Sequence, residues 1–286
     1  MKPVLRRVWR VLAAFCVLSI SIDTVEAQTG SVDGEWHTYG GDLGSTRYAP
    51  LDQITAENFD ELEMVWRFNT ANLGPNPDFN YQATPLMVDG TLYTTAGSRR
   101  DVVALDAGTG ELVWVYRLDE GERGANAIRR MSGRGVGYWT DGEGDERIFV
   151  VTIGYQLVGL DAATGRPIPE FGTNGIVDLK ENNDQYIDPL SGEIGWNGAP
   201  IVARDVVVVG AAHRGGGAPP SRENIKGYIR GFDVRTGSRK WIFHTIPQSS
   251  EFGRDTWLND SAVYTGNTGV WTNLTVDEEL GIAYLP

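Results

Sequence analysis

The chain has 286 residues, of which 41% are hydrophobic and 22% are charged, as expected for an ordinary globular protein. Its formal net charge is −13, and a surface of that sign repels nucleic-acid phosphates and anionic lipid head groups. The composition therefore argues against nucleic acid as a partner. The 36 glycines and nine tryptophans favour an all-β repeat protein over a helical one.

The first 27 residues have the pattern of a secretory signal peptide. Four basic residues occur among the first ten, and positions 11–22 form an apolar stretch that is short for a membrane span. Val25-Glu26-Ala27 is a small-x-small cleavage site, so we expect residues 1–27 to be removed and the mature chain to start at Gln28 in the periplasm. An uncleaved anchor is the alternative. After this segment we expect no transmembrane segment, because no other stretch is long and apolar enough.

The single cysteine, Cys16, lies inside the expected signal peptide. The mature chain would therefore contain no thiol, which excludes both a disulfide and a cysteine metal site. Any bound metal would need oxygen ligands or one of the three histidines, His37, His213 and His244.

A turn pattern recurs three times along the chain. It reads Ala104-Leu105-Asp106-Ala107-Gly108-Thr109-Gly110, and it returns at 159–165 and 231–237. The aspartate can accept hydrogen bonds from backbone N–H groups of a turn, and the last glycine can supply a positive φ. Two copies are followed by a tryptophan, Trp114 or Trp241, in an alternating strand. Each copy therefore predicts a β-hairpin, and both tryptophans are expected to be buried against a neighbouring repeat.

Further strands precede each turn, for example on both sides of Asp89-Gly90. Four strands per repeat, at periods above 40 residues, are typical of β-propeller blades. We expect blades at about 84–116, 135–171 and 199–245. A fourth blade would begin near Val270 and stop at Pro286 without its own turn. Residues 28–286 are therefore expected to be an incomplete propeller domain, either a fragment or a chain that a partner completes.

The residues alone show no nucleophile and base pair, no phosphate loop and no histidine metal cluster. A family resemblance adds more. The pattern from Ala104 to Trp114 resembles the tryptophan-docking repeat of the quinoprotein dehydrogenases that use pyrroloquinoline quinone (PQQ). Positions 36–54, which start Trp-x-x-Tyr-Gly-Gly-Asp, resemble the segment that opens their mature chains, and 161–175 resembles their second repeat. The resemblance runs from Trp36 to Pro286 and is greatest for the glucose and quinate branch.

This resemblance implies about three and a half blades of an eight-bladed ring, with PQQ and Ca²⁺ on the axis. Trp271 matches the tryptophan that stacks on the quinone, and Arg134 matches the arginine that pairs with a PQQ carboxylate. Thr152 and Gln82 match residues that face the cofactor, and Glu223 lies near the position of a calcium ligand. The alternatives are a blade core for Trp271 and exposed loops for Arg134 and Glu223.

The implied activity is oxidation of CH–OH groups of small alcohols, polyols or sugars, with electrons passed to a quinone or a cytochrome. The sequence departs from the family at three points. It lacks the vicinal cysteine pair, it has Arg130 where some members have histidine, and the implied catalytic aspartate would lie beyond Pro286. No catalytic residue is therefore assigned in this chain. A non-catalytic propeller scaffold, such as an outer-membrane assembly factor, is the alternative function.

Overall fold

The computed structural model describes residues 30–76, 78–214 and 224–286. They form three four-stranded antiparallel sheets and one two-stranded hairpin. In every sheet each strand pairs with the next one in the sequence, which is the meander of a propeller blade. The expected all-β architecture is confirmed, and so are the three four-stranded blades followed by part of a fourth.

Blade 1 consists of β1 (Leu86–Val88), β2 (Thr91–Ala96), β3 (Asp101–Asp106) and β4 (Leu112–Tyr116). Blade 2 consists of β5 (Gly137–Thr140), β6 (Glu146–Val151), β7 (Gln156–Asp161) and β8 (Ile176–Asp178). Blade 3 consists of β9 (Ile201–Ala203), β10 (Val206–Val209), β11 (Ile229–Asp233) and β12 (Arg239–Phe243). The final hairpin pairs β13 (Thr275–Asp277) with β14 (Ile282–Tyr284).

Among the residues described, helix occurs only in short connecting segments. Two are α-helical, α1 (Gly121–Ala125) and α2 (Ser261–Tyr264), and two are 3₁₀ turns, Phe59–Glu61 and Arg254–Thr256. None of these helices approaches the length that a membrane crossing needs.

Blade 2 is longer than the sequence pattern indicated. Its expected end was residue 171, but its fourth strand, β8, follows at Ile176–Asp178. The segment Phe171–Gly175 is a turn closed by the Gly175 N–H, which donates to the Phe171 carbonyl at 2.9 Å. Because β8 has only three residues and no tryptophan, it lacks the alternation that identifies the outer strand of the other blades.

The three recurring turns have the same hydrogen bonds. Asp106 Oδ1 accepts from the Thr109 backbone N–H at 2.7 Å and from its hydroxyl at 2.8 Å. The same pair of bonds joins Asp161 to Thr164 and Asp233 to Thr236. Hydrogen bonds from Thr109 hold the pKa of Asp106 below its usual range. The closing glycines have φ values of +73°, +68° and +70°, the region that disfavours a side chain.

Tryptophans join successive blades through these turns. The indole N–H of Trp114 donates to the Ala162 carbonyl of blade 2 at 2.9 Å, and its ring covers Gly165 so closely that a Cβ there would lie 2.4 Å away. Trp66 makes the same contacts with Ala107, at 3.0 Å, and Gly110. Trp114 is buried, as expected, whereas the role of Trp66 was not anticipated.

Blades 2 and 3 are joined without a tryptophan that covers the turn glycine; instead, the guanidinium carbon of Arg235 in the blade 3 turn lies 4.6 Å from the ring centroid of Trp139 in β5. The Gly172 N–H donates to the Thr236 carbonyl at 2.9 Å, and the buried guanidinium of Arg147 donates to the Val234 carbonyl at 3.0 Å. The expectation that Trp241 is largely buried against a further blade is wrong for the part of the chain described. Trp241 is only partly buried and covers Gly231 of its own blade, and no Asp-x-x-Thr-Gly turn follows it in the sequence.

One segment near the start of the described chain contacts the first strands of three sheets and lies close to that of the fourth. We call residues 36–45 the axial segment. Trp36 forms a β-bridge with Met87, the His37 ring lies 5.3 Å from that of Tyr138, and the Leu43 carbonyl accepts from Val276 N at 2.9 Å. Other residues of the segment line a small cavity with Ile201. The first strands therefore face a common axis, as in a propeller.

Candidate functional site

Three residues have equivalent positions in the repeat, and a fourth lies one residue nearer to its strand. Gln82, Asn197 and Trp271 each lie four residues before the first strand of their sheet, and Arg134 lies three residues before β5. We call the residues that lead into each first strand its approach segment. Because equivalent positions of successive blades meet at one end of the axis, these four side chains belong to one face of the molecule.

Two backbone hydrogen bonds join neighbouring parts of this face. The Thr84 N–H donates to the Arg134 carbonyl at 3.3 Å, which joins the approach segments of blades 1 and 2. The Ala211 N–H, two residues after the second strand of blade 3, donates to the Val270 carbonyl at 3.2 Å. The approach segments thus converge where the second strands end.

Arg134 and Trp271 meet on this face. The guanidinium carbon of Arg134 lies 5.6 Å from the centroid of the Trp271 ring, within the range of a cation–π contact. One guanidinium nitrogen of Arg134, Nη1, is buried and has no hydrogen-bond partner. Trp271 is 54% exposed, so it is not a core tryptophan. An aromatic face and a cation with an unused donor therefore lie side by side.

Thr152 follows the end of β6 and is buried, but its hydroxyl is already engaged. Thr152 Oγ1 donates to Glu120 Oε1 at 2.7 Å and accepts from the Gln156 N–H at 3.1 Å. Its carbonyl accepts from Arg100 at 3.4 Å. The threonine lies at the expected end of its blade, with its side chain turned toward Glu120.

Arg100 binds the segments of this face to one another. Its buried guanidinium donates to the carbonyls of Val151 at 2.8 Å, Trp196 at 2.7 Å and Arg129 at 3.0 Å. The pKa of Arg100 is lowered to about 10, mainly by burial; the charges of Glu120 and Asp78 oppose this effect, and the charge of Arg134 adds to it. A pKa of that value keeps the group protonated at neutral pH, so the face carries an internal cation.

Gln82 is exposed, beside Tyr81, whose hydroxyl lies 2.9 Å from Thr94 Oγ1. Glu223, the expected calcium ligand, lies outside the described residues. Elsewhere in the chain, over the ranges that the structure describes, no group of three or more His, Cys, Asp or Glu side chains could hold a metal. The structure therefore brings Arg134 and Trp271 into contact, places Gln82 and Thr152 at the same end of their blades, and gives no geometry for calcium.

Several buried polar atoms on this face have no hydrogen-bond partner. Arg129 Nε and Arg134 Nη1 are such donors, and Asn197 Oδ1 and Asn273 Oδ1 are such acceptors. A buried polar atom without a partner is costly, and native proteins retain few of them. Three of these atoms belong to approach segments, and Arg129 lies in the loop just before that of blade 2; their concentration indicates a site built to receive a polar ligand. Sequence reasoning missed Asn197, although its position in the repeat matches that of Gln82 and Trp271.

His213 adds a neutral side chain near the same end of blade 3. Its Nε2 lies 2.7 Å from the Ile225 carbonyl, so this nitrogen must carry the proton that it donates. Burial lowers the pKa of His213, the hydrogen bond to Ile225 opposes this, and the charge of Arg129 lowers the pKa further. Cationic charge on this face therefore comes from arginines and not from histidine.

A large cavity lies at the other end of the strands. Its volume is about 870 Å³, and it lies against the axial segment and the turns around Asp141 and Asp205. Its lining mixes acidic side chains with Arg204 and Arg235, and Arg235 is already paired with Asp205 at 3.0 Å. The unpartnered polar atoms lie elsewhere, so we place the candidate site at the approach segments.

The sequence is similar to a family of known proteins. The sequence profile described as "PQQ: Glucose/ethanol/alcohol dehydrogenase, beta-propeller domain" matches residues 36–286. Quinohemoprotein alcohol dehydrogenase ADH-IIG of Pseudomonas putida is 29% identical over 263 residues, which cover 88% of this chain and 32% of that protein. Quinoprotein glucose dehydrogenase of Gluconobacter oxydans is 28% identical, with coverage of 88% and 32%.

Solved structures agree with these matches. The quinohemoprotein alcohol dehydrogenase of Comamonas testosteroni superposes with a TM-score of 0.68 at 27% identity, covering 88% of this chain and 35% of that one. A europium-containing methanol dehydrogenase gives a TM-score of 0.56 at 25% identity, with coverage of 74% and 32%. The chain thus spans about a third of the length of these relatives.

Proposed function

Because the chain belongs to the PQQ glucose/ethanol/alcohol dehydrogenase β-propeller family, we propose that it is the cofactor-holding part of a quinoprotein dehydrogenase. The proposed reaction is oxidation of CH–OH groups of small alcohols, polyols or sugars. The observation that supports it most is the pairing of Arg134, with its buried unused Nη1 donor, and the half-exposed Trp271 ring.

These residues fit the chemistry of PQQ, which is planar, conjugated and carries three carboxylates. A planar ring stacks on an aromatic face, and a guanidinium binds a carboxylate through two parallel hydrogen bonds. Trp271 would supply the face and Arg134 the donors, while Gln82 would contact the cofactor from the approach segment of blade 1. Thr152 would contribute from blade 2, although its hydroxyl must first leave Glu120. When bound, PQQ supplies the acceptor for the two electrons of alcohol oxidation.

A Ca²⁺ ion held in part by Glu223 is the second proposed cofactor. Calcium prefers several oxygen ligands, and a cation next to the quinone would make its carbonyl more electrophilic. The residues assigned in this chain bind and orient the cofactor. None of them is assigned as the group that accepts the substrate proton.

We also propose where the protein acts and which molecules receive its electrons. Residues 1–27, which lie outside the described residues, are proposed to export the protein to the periplasm. The electrons would then pass to a quinone or a cytochrome. The names of the relatives support dehydrogenase chemistry, since they include alcohol, glucose and glycerol dehydrogenases.

Titration of the purified protein with PQQ, with and without Ca²⁺, tests the proposal. We expect saturable quenching of tryptophan fluorescence, with tighter binding in the presence of Ca²⁺. A non-catalytic scaffold gives no reason to keep a buried guanidinium nitrogen without a hydrogen-bond partner beside an exposed indole. Absence of saturable binding to the folded protein would therefore favour the scaffold.

A further inference from the structure

A second arginine lies near the candidate cofactor site. We propose that Arg129 and Arg134 act together as a two-arginine site for carboxylates, in which Arg129 binds a carboxylate group that Arg134 does not. This inference rests on the proposed function and extends it. The second carboxylate belongs either to PQQ itself or to a hydroxy-acid substrate bound beside it.

Among the described residues, neither Arg129 nor Arg134 forms an ion pair with a carboxylate. In the described part of the chain, seven arginines are paired with carboxylates: Arg99, Arg117, Arg123, Arg147, Arg214, Arg235 and Arg239. Two further arginines, Arg100 and Arg230, are buried and donate to carbonyl oxygens. Arg129 and Arg134 belong to neither group, and each has a buried nitrogen without an acceptor, Nε in Arg129 and Nη1 in Arg134.

The charges of the two arginines repel each other. Burial lowers the pKa of Arg129, the charge of Arg134 lowers it further, and no acidic side chain in the described ranges opposes this effect. The same charge acts on Arg100. Because an arginine does not lose its proton near neutral pH, the mutual repulsion remains until an anion enters. A concentrated positive field of this kind is unusual in a chain whose net charge is −13.

Arg129 is held in place before any ligand binds. Its carbonyl accepts from Arg100 Nη2 at 3.0 Å. Its side chain passes over Gly195, where a Cβ would lie 3.3 Å from both Cβ and Cγ of Arg129. A preorganised donor loses less conformational entropy on binding, so fixing this side chain favours recognition of an anion.

The neighbouring Arg130 provides a matched control. It is exposed, and its guanidinium donates to the carbonyls of Ala125 and Ala127 in its own loop. Arg129→Gln and Arg130→Gln remove the same charge from adjacent positions, so a general loss of positive charge would affect ligand binding equally in both. Arg129→Lys keeps the charge but not the planar pair of donors.

The experiment measures binding and not turnover. PQQ affinity is determined by equilibrium dialysis for the intact wild-type protein and the three variants. The PQQ-loaded proteins are then heated with gluconate, a hydroxy acid, or with glucose, its uncharged counterpart, to measure each shift in melting temperature. If Arg129→Gln fails to fold, Arg129→Lys is compared with Arg130→Lys instead.

Two results support the inference and identify the source of the carboxylate. A loss of PQQ affinity of about 10- to 100-fold in Arg129→Gln, but not in Arg130→Gln, assigns Arg129 to the cofactor, since this is the range of one charged hydrogen bond. Unchanged PQQ affinity with loss of the gluconate shift assigns Arg129 to the substrate. Unchanged behaviour of Arg129→Gln toward both ligands overturns the inference. Failure of the wild-type protein to bind PQQ would instead refute the proposed function.

Discussion

The guanidinium carbon of Arg134 lies 5.6 Å from the centroid of the Trp271 ring, although the two residues lead into the first strands of different sheets. The contact leaves 54% of Trp271 exposed. A planar ligand could therefore occupy the rest of the ring while its acidic groups reach the unused guanidinium nitrogen.

Replacing Trp271 should separate ligand binding from stability. Trp271→Ala should weaken PQQ binding by at least ~0.5–1.5 kcal/mol, the value of aromatic stacking beyond area burial. The free energy of unfolding should change little, because the side chain is largely exposed. Equilibrium dialysis and urea denaturation measure the two quantities, and Trp271→Phe should retain part of the affinity. Equal PQQ affinity of wild type and Trp271→Ala would remove the indole from the site.

Replacing Trp114 should have the opposite effect. This residue is buried, covers Gly165 and donates to Ala162 of the next blade. Trp114→Ala should lower the free energy of unfolding by ~3–5 kcal/mol, the usual cost of deleting a buried aromatic side chain. Trp241→Ala is the matched comparison and should cost less, because Trp241 is only partly buried. If chemical denaturation showed the same decrease in the free energy of unfolding for Trp114→Ala and Trp241→Ala, the docking role of Trp114 would be contradicted.

Asp178 should make the protein sensitive to acid. It forms a two-point ion pair with Arg123, with both N–O distances at 2.6 Å. Burial raises the pKa of Asp178. Hydrogen bonds from Arg123 and from the Lys180 N–H, together with the positive charges of these two residues, outweigh burial, so the pKa is lowered overall. Since the pKa of the folded state is below that of the unfolded state, the stabilisation is complete near neutral pH. This stabilisation declines as the pH falls below about 3.9, the pKa of the unfolded state, and it disappears below the pKa of the folded state.

The substitution that tests this pH dependence is Asp178→Asn. We expect it to lower the free energy of unfolding at pH 7 by ~1–3 kcal/mol, the range of a hydrogen bond to a charged group. The free energy of unfolding of the variant should also decrease less than that of wild type as the pH is lowered from 5, as measured by urea denaturation at each pH. If the free energy of unfolding of wild type and variant changed in parallel with pH, the protonation of Asp178 would not contribute to the pH dependence of stability. The exposed ion pair of Arg214 and Glu193 provides a control, since Glu193→Gln should leave the curve unchanged.

Export should leave a defined amino terminus. The signal-like segment and Val25-Glu26-Ala27 predict a mature protein that starts at Gln28. Mass spectrometry of the protein recovered from the periplasmic fraction measures this terminus. Retention of Met1 on a membrane-bound product would show that the segment is an anchor.

The blades could be predicted from the sequence because their turns are local. Asp106 and Thr109 are three residues apart, and their hydrogen bonds depend on little outside the turn. The docking role of Trp66 was missed because no such turn precedes it. A signal was present, since Glu63-Met64-Val65-Trp66-Arg67-Phe68 matches Glu111-Leu112-Val113-Trp114-Val115-Tyr116 in its alternation. The second segment pairs within blade 1, whereas the first forms no strand among the described residues.

The site was only partly predictable. The family resemblance brought Arg134 and Trp271 together, because both positions carry recognisable local motifs. The hydroxyl of Thr152 is engaged by Glu120, from a connection between blades, and no local pattern in the sequence indicates that contact. Arg129 and Asn273 were missed for a similar reason. Their significance lies in buried atoms that packing leaves without partners, which is a property of the folded chain.

The axial segment joins parts of the chain that are far apart in the sequence. Trp36 pairs with Met87 of blade 1, and the Leu43 carbonyl accepts a hydrogen bond from Val276 of the last hairpin, 233 positions away. Closing a loop of that length costs chain entropy, which folding of the blades between the two positions offsets. Folding of the axial segment is therefore coupled to folding of the last hairpin.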